Sequence, residues 1–164
     1  MQETIEAILE RVELNKKDNL AKWLGRAISV SDDSTTRTTQ TYQNILFKTD
    51  VFFEGLNQAL NETVKEEKLL TGVGLVEIVL DELGFEIEKE DAFIVYHLRD
   101  LGKFKITDKK LKEQLKGLWG QHKDYALDDQ EFARTLKHLM RMGLLDFRKG
   151  NMTMKKSVII RYKD

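Results

Sequence analysis

Apolar residues recur three or four positions apart along most of this chain, and this spacing constrains the fold more than any other sequence feature. Such a period places apolar side chains on one face of an α-helix. The 164 residues include no proline, so no position lacks the backbone N–H that helical hydrogen bonds require. These features predict a mainly helical fold in which glycine, asparagine and aspartate form the turns.

Two amphipathic helices are predicted within residues 1–30, the first over 2–14 and the second after a polar turn at 15–19. Together they form an N-terminal helical hairpin. So short a hairpin cannot bury its apolar ridge by itself. We therefore expect the ridge to pack on the main domain or on a second copy, which would make a homodimer through these helices. The ridge consists of Ile5, Ile8, Leu9, Val12, Trp23, Leu24 and Ile28.

A polar segment and a second helical region follow. Residues 31–41 are rich in Ser, Thr and Asp, whose side chains compete for backbone hydrogen bonds, so we expect a linker or loop. Residues 42–89 are predicted to be helical, although 42–47 could instead be extended. Gly72-Val73-Gly74 predicts a turn before a helix from Leu75 to Leu83. A phosphate-binding loop is the alternative, but the further glycine or the Lys-Ser/Thr pair of such loops is absent.

Residues 90–164 combine helices with short strands. Thr107 can cap one helix, and Asp128 or Asp129 can cap another. The apolar and basic ending, with Gly150-Asn151 near its tip, predicts an antiparallel hairpin packed beside the preceding helix. The predicted order is a helix over 91–101, a strand over 103–106, a helix after Thr107, a helix that runs to Met142, and a hairpin over 144–162.

The helix that runs to Met142 divides into two faces at 100° per residue. One face is apolar and should bury against the core, which leaves the other face directed outward. The apolar side contains Phe132, Leu136, Leu139, Met140 and Gly143. The opposite, polar side contains Gln130, Arg134, Lys137, His138 and Arg141.

The order helix, short strand, helix, helix, hairpin resembles the winged helix-turn-helix family. The hinge from Leu139 to Leu145 and the basic hairpin after it are especially similar, and the resemblance covers Glu90 to Lys163. The predicted fold is therefore mainly α with a small C-terminal β-hairpin. It comprises an N-terminal helical hairpin (1–30), a polar linker (31–41), a helical region (42–89) and a winged helix-like domain (90–164).

In that family the third helix enters the major groove of DNA, and the hairpin, or wing, contacts backbone or minor groove. The resemblance thus implies a DNA-binding protein with a role in transcription regulation. Arginine and lysine suit this role, because they bind guanine edges and phosphates. The implied contacts are Gln130, Arg134, Lys137, His138 and Arg141 on the third helix and Arg148, Lys149, Lys155 and Lys156 in the wing.

Two departures from the family keep a second function open. The third helix begins with three carboxylates, at Asp128, Asp129 and Glu131, which fit the helix dipole but repel phosphates. The connection between the second and third helices, at 120–127, is longer than the usual three or four residues. Winged helices that bind other proteins tolerate both features, so the alternative is a protein-interaction or assembly subunit.

Charge differs between the two parts of the chain. Residues 1–102 carry 11 Lys or Arg against 20 Asp or Glu, a balance of −9, whereas residues 103–164 carry 16 against 8, a balance of +8. Such asymmetry is a hint of nucleic-acid contact, although the basic part could also pack against the acidic part.

No catalytic or cofactor site is predicted. The chain has no cysteine, which excludes disulfides, thiolate metal sites and a cysteine nucleophile. His97, His122 and His138 are scattered and lack carboxylates at ligand spacing, and His97 is expected to be a core residue. We expect a non-enzymatic protein without cofactor or metal. The acidic N-terminus and the absence of an apolar run near 18 residues indicate a cytoplasmic location.

Overall fold

The computed structural model describes residues 2–12, 17–31, 43–61, 68–100, 105–119 and 128–162. Within these ranges the chain is mainly helical with small antiparallel sheets, as the sequence predicts at this level. The helices are α1 (Gln2–Arg11), α2 (Lys17–Ala27), α3 (Thr49–Leu60), α4 (Lys68–Glu82), α5 (Lys89–Asp100), α6 (Asp108–Trp119) and α7 (Asp129–Arg141). The strands are β1 (Ile28–Ser31), β2 (Gln43–Lys48), β3 (Lys105–Thr107), β4 (Leu145–Arg148), β5 (Asn151–Met154) and β6 (Ser157–Tyr162).

The chain forms two compact units. Unit 1 contains Met1–Glu86 and Lys156–Asp164, and unit 2 contains Ile87–Lys155. None of the helices described is both long and apolar enough to cross a lipid bilayer.

The N-terminal helices of unit 1 bury their apolar ridge inside the unit. α1 packs against α2 and α4, and α2 packs against α3. Ile8 and Leu24 are fully buried by these contacts, and Val12 and Trp23 nearly so. Packing within the chain is therefore the alternative that the structure shows for these four residues, whereas Ile5 and Leu9 are half-buried. Ile28 also departs from the expectation, because it begins β1 and does not extend α2.

The sheet of unit 1 has the strand order β1-β2-β6, with antiparallel pairing throughout. Residues 43–48 are thus extended, which was the alternative to a helix at this point. The prediction of one hairpin over 144–162 is wrong in its second half, because 157–162 pairs with β2. Ile45 lies opposite Ile160, and Phe47 lies opposite Val158. Apolar cross-strand pairs of this kind stabilise a sheet whatever the sequence distance between the strands.

Helix α4 runs without interruption through Gly72 and Gly74, so the predicted turn at these residues is wrong. Glycine in a helix interior costs about 1 kcal/mol relative to alanine. Burial offsets this cost, because Val73, Val76 and Val79 have no exposed surface, and burying one such side chain contributes about 1.5–3 kcal/mol. The polar segment 31–41 lies outside the described residues, apart from Ser31 at the end of β1.

The Trp23 side chain ties α2 to α3. Its indole N–H donates a 2.8 Å hydrogen bond to the carbonyl of Val51, and its ring stacks on Phe52 with 5.0 Å between centroids. The indole lies directly over Gly55, where an added Cβ would overlap the ring. A glycine at this position is therefore required by packing, not by backbone conformation.

We predict that Gly55→Ala destabilises the protein by about 1–3 kcal/mol, because the new methyl group displaces the indole from its packed position. Urea unfolding followed by tryptophan fluorescence would measure the change in the free energy of unfolding. Gly74→Ala is the matched control, since nothing lies within 4 Å of the added Cβ in α4, and it should stabilise by about 0.5–1 kcal/mol. Equal effects of the two substitutions would contradict the Trp23 contact.

Unit 2 contains, in order, α5, β3, α6, α7, β4 and β5, with a sheet of order β3-β5-β4. The caps follow the sequence prediction. Thr107 Oγ1 accepts a 3.2 Å hydrogen bond from the N–H of Lys110 at the start of α6. Of the two candidate caps for α7, Asp128 is the cap, and its carboxylate accepts a 2.8 Å hydrogen bond from the N–H of Glu131.

Two sharp turns direct the chain from α7 into its hairpin. Gly143 has a φ of 77°, and the N–H of Leu144 donates to the carbonyl of Leu139 at 3.1 Å, which together form a glycine helix ending of the Schellman type. At the tip, Lys149 and Gly150 have φ values of 51° and 76°, as a two-residue type I′ turn requires. The hairpin therefore turns one residue earlier than the predicted Gly-Asn tip.

Candidate functional site

Helix α7 presents a buried face and an outward face. Phe132, Leu136 and Leu139 are buried as predicted, together with Thr135. The predicted polar residues Gln130, Arg134, Lys137 and Arg141 are all exposed. Met140 differs from the prediction, because it is 36% exposed. At 100° per residue its Cβ lies about 90° from the centre of the buried face, and the side chain therefore reaches the flank of the helix.

The outward face of α7 lines a groove of about 540 Å³. The structure brings together in it the five residues that sequence analysis assigned to the third helix. Two further residues complete the lining, Ala133 of α7 and Glu88, which precedes α5. In full, the groove residues are Glu88, Gln130, Ala133, Arg134, Lys137, His138 and Arg141.

Glu88 brings a carboxylate into this otherwise basic groove. One of its carboxylate oxygens lies 3.1 Å from Nη1 of Arg134, and both side chains are more than half exposed. The Glu88 carboxylate also raises the pKa of the Arg134 guanidinium through this hydrogen bond. An exposed pair of this kind contributes little to stability, so Arg134 can exchange its partner for another anion.

Asp91 is a buried carboxylate beneath the groove, with a side chain only 1% exposed. Its Oδ2 accepts a 2.9 Å hydrogen bond from the N–H of Glu88, the residue before α5, in the manner of a capping box. The same oxygen lies 2.8 Å from Nδ1 of His138. Burial raises the pKa of Asp91, whereas the Glu88 N–H and the nearby His138 act in the opposite direction.

The partnership between Asp91 and His138 does not follow from the short spacings of metal and catalytic motifs, because these residues are 47 positions apart. The one available signal was the capping pattern at the start of α5, which identifies Asp91 as a helix-start residue but says nothing about α7. His97 is buried as expected, with ring centroids 4.4 Å from Phe93 and 5.5 Å from Tyr96.

The carboxylates at the start of α7 are engaged by local partners. Asp128 is used as the helix cap. Asp129 forms a 2.8 Å ion pair with Lys112 of α6, and Lys112, followed by Lys116, lowers its pKa. The acidic start of the helix is therefore partly neutralised within unit 2. Lys112 was not among the residues that sequence analysis selected.

The four predicted wing residues belong to different parts of the structure. Arg148 and Lys149 lie at the hairpin turn, where Arg148 forms a 2.9 Å ion pair with Asp146. Lys155 follows β5 at the opposite end of the hairpin, about 14 Å away at 3.4 Å per residue. Lys156 belongs to unit 1, where its carbonyl accepts a 2.9 Å hydrogen bond from the N–H of Thr49. Lys156 precedes β6, which pairs with β2 of the same unit.

Among the described residues, no group of three or more His, Asp or Glu side chains is arranged to hold a metal ion. His122 lies outside those residues. The chain matches no family model, no curated protein and no solved structure.

The buried Asp91 carboxyl should make stability depend on pH. Because the pKa of Asp91 is raised in the folded protein, its contribution to stability is complete below the pKa of an unfolded aspartate, about 3.9. That contribution is lost as pH rises through the pKa of the folded state. We therefore expect the wild type to lose stability relative to Asp91→Asn as pH increases upward from about 4. Urea unfolding of both proteins at a series of pH values would measure the difference in free energy of unfolding.

Asp129→Asn is the control, and we expect the pH dependence of its stability difference from wild type to have the opposite sign. The pKa of Asp129 is lowered in the folded protein, so its contribution is present above about pH 3.9 and is lost only as pH falls through the lowered value. A difference between wild type and Asp91→Asn that does not change with pH would contradict the burial of the Asp91 carboxylate.

Proposed function

We propose that unit 2 is a winged helix-turn-helix domain that binds duplex DNA through α7, in a regulatory and non-catalytic role. The observation that carries this proposal is the exposed face of α7, on which Gln130, Lys137 and Arg141 point away from a firmly buried apolar face. The element order of unit 2, and its sheet order β3-β5-β4, support the family assignment made from the sequence.

The chemistry of this face suits base and phosphate recognition. Arg141 has the planar fork that binds guanine bidentately, Gln130 has the amide that pairs with adenine, and Lys137 supplies a point charge for a phosphate. α7 is also long enough for this role, since its 13 residues span about 20 Å at 1.5 Å per residue.

Electrostatics also favours unit 2 as the nucleic-acid-binding part. Ile87–Lys155 contains 15 Lys or Arg and 11 Asp or Glu, a balance of +4, whereas the remaining residues contain 12 and 17, a balance of −5. The carboxylates at the start of α7 are the main argument against DNA binding, because they repel phosphates. The ion pair of Asp129 with Lys112 weakens that argument.

Helix α6 adds basic residues that sequence analysis did not select. Lys109, Lys110 and Lys116 are exposed on this helix. In a helix-turn-helix the helix before the recognition helix crosses the DNA backbone. We therefore include these three lysines as candidate phosphate contacts, together with Arg148 and Lys149 at the hairpin turn.

We predict that Lys137→Ala combined with Arg141→Ala weakens duplex binding and makes it less salt dependent. Loss of the Lys137 phosphate contact should reduce the magnitude of the log–log salt slope by about 0.9, and the reduction should be about two if Arg141 also contacts a phosphate. Fluorescence anisotropy with a labelled duplex over a series of salt concentrations would measure the slope. If Arg141 reads a base edge, its share of the loss should appear as relaxed sequence preference, of ~1–3 kcal/mol.

The matched control is Lys22→Ala combined with Lys48→Ala, which removes the same charge from two exposed positions of unit 1. It should leave the salt slope unchanged. Equal effects of the two double variants would show that net charge alone attracts DNA, and would contradict an interface on α7.

A protein-binding platform is the second candidate function. Two large apolar side chains of unit 2 support it, since Phe147 on β4 is 46% exposed and Met140 on α7 is 36% exposed. Exposed apolar side chains of this size are used more often in protein interfaces than in phosphate contacts. Absence of duplex binding at low salt, in the wild type and in Asp129→Asn, would favour this function over the first.

A further inference from the structure

We propose that the groove on α7 is a proton-gated phosphate site, in which His138 binds a phosphate oxygen only when its imidazole is protonated. The ligand class is a phosphodiester anion. The inference rests on the proposed function, because it assigns DNA backbone phosphate and control by pH to the same groove.

The hydrogen bond to Asp91 determines what His138 can offer to a ligand. Oδ2 of Asp91 is already an acceptor for the N–H of Glu88, and an ionised carboxylate can only accept. While Asp91 is ionised, Nδ1 of His138, 2.8 Å away, is therefore the donor and carries a hydrogen. In the neutral imidazole Nε2 is then an acceptor without a proton, which repels a phosphate oxygen. Protonation converts Nε2 into a charged donor.

Charged groups on two sides of His138 act on the protonation of its imidazole in opposite directions. From the start of α5, the Asp91 and Glu88 carboxylates stabilise a positive charge on the imidazole. From α7 itself, Arg134, Lys137 and Arg141 oppose that charge, because they line the same groove. An anion in the groove screens this repulsion, so anion binding and proton uptake reinforce each other. By linkage each favours the other by the same factor.

Glu88 competes with the incoming anion. Its carboxylate lies 3.1 Å from Nη1 of Arg134, and a phosphate that binds Arg134 must replace it. Exposed ion pairs exchange partners readily, because they contribute little free energy. Arg134 is therefore paired with an internal carboxylate, and a phosphate with two or more accessible oxygens can engage Arg134 and His138, which lie four residues apart on one face of α7.

The test uses the wild-type protein and dimethyl phosphate, a phosphodiester whose charge does not change between pH 5.5 and 7.5. We expect the Cε1–H resonance of His138 to shift on titration, with binding about tenfold tighter at pH 5.5, which lies within the limit of about a hundredfold that uptake of one proton sets over two pH units. The resonance of the buried His97 should not move. A shift of His138 that is the same at both pH values, or no shift at all, would overturn the proposal.

Variants separate proton gating from simple charge attraction, with circular dichroism to verify that each is folded. His138→Gln should bind a duplex with the same affinity at both pH values. Lys137→Gln is the matched control, because it removes a charge from the same groove but no group that titrates in this range, and the tenfold ratio should persist at lower affinity. Glu88→Gln should tighten binding at both pH values.

Asp91→Asn tests the origin of the gating. The amide oxygen can still accept from Nδ1, but the negative charge that stabilises the imidazolium is lost. The ratio of phosphate affinity at pH 5.5 to that at pH 7.5 should therefore fall. An unchanged ratio would show that Asp91 does not control the protonation of His138, and would contradict the gating mechanism.

Failure of this inference and failure of the proposed function give different results. A duplex that binds with the same pH dependence in wild type and His138→Gln would reject the proton-gated site and leave DNA binding intact. Dimethyl phosphate binding at pH 5.5 without duplex binding would support the site and reject the DNA-binding function. Binding of neither would reject both.

Discussion

The burial of one face of α7 is the constraint on which the candidate site depends. Phe132, Leu136 and Leu139 pack this helix against α5 and β4, and each fully buried side chain contributes about 1.5–3 kcal/mol. With that face held, the helix cannot rotate, and the five polar residues of the opposite side are directed into one groove. The recognition chemistry therefore follows from apolar packing, not from attraction between the polar residues.

Electrostatics then refines a position that packing has already determined. Asp91 is buried at the start of α5, where the N–H of Glu88 and Nδ1 of His138 both bond to one oxygen. A buried carboxylate without such partners is expensive, so α5 and α7 are joined at this point by a polar contact as well as by apolar ones. The cost of burial is visible in the raised pKa of Asp91, and for this reason we expect this contact to respond to pH.

Apolar packing likewise determines how the helices of unit 1 are arranged. Its helices bury their stripes against one another, and the contact of Trp23 with Gly55 brings α2 and α3 close enough to share an aromatic cluster. The sheet is completed by β6, a strand that follows the unit 2 hairpin in the chain. In the chain, unit 2 is thus inserted between two segments of unit 1, and the carbonyl of Lys156 accepts a hydrogen bond from the N–H of Thr49 at the start of α3.

The sequence by itself determined those features of this protein that arise between near neighbours in the chain. Helical period identified the two faces of α7, and capping chemistry identified Thr107 and Asp128 at helix starts. The positive-φ glycine after α7 also follows from local preference. These predictions succeed because their causes lie within four residues of each other. For the same reason the sequence placed Gln130, Lys137 and Arg141 together on an exposed surface.

Only the tertiary structure decided which distant segments meet. The local pattern of 157–162 specifies a strand, but its pairing with β2 depends on a partner more than one hundred positions away. Gly72 and Gly74 favour a turn locally, and the buried valines of α4 outweigh that preference. The partnership of Asp91 with His138 is of the same kind. Burial and hydrogen bonding between remote residues are properties of the packed chain, and the spacing of apolar residues along the sequence does not predict them.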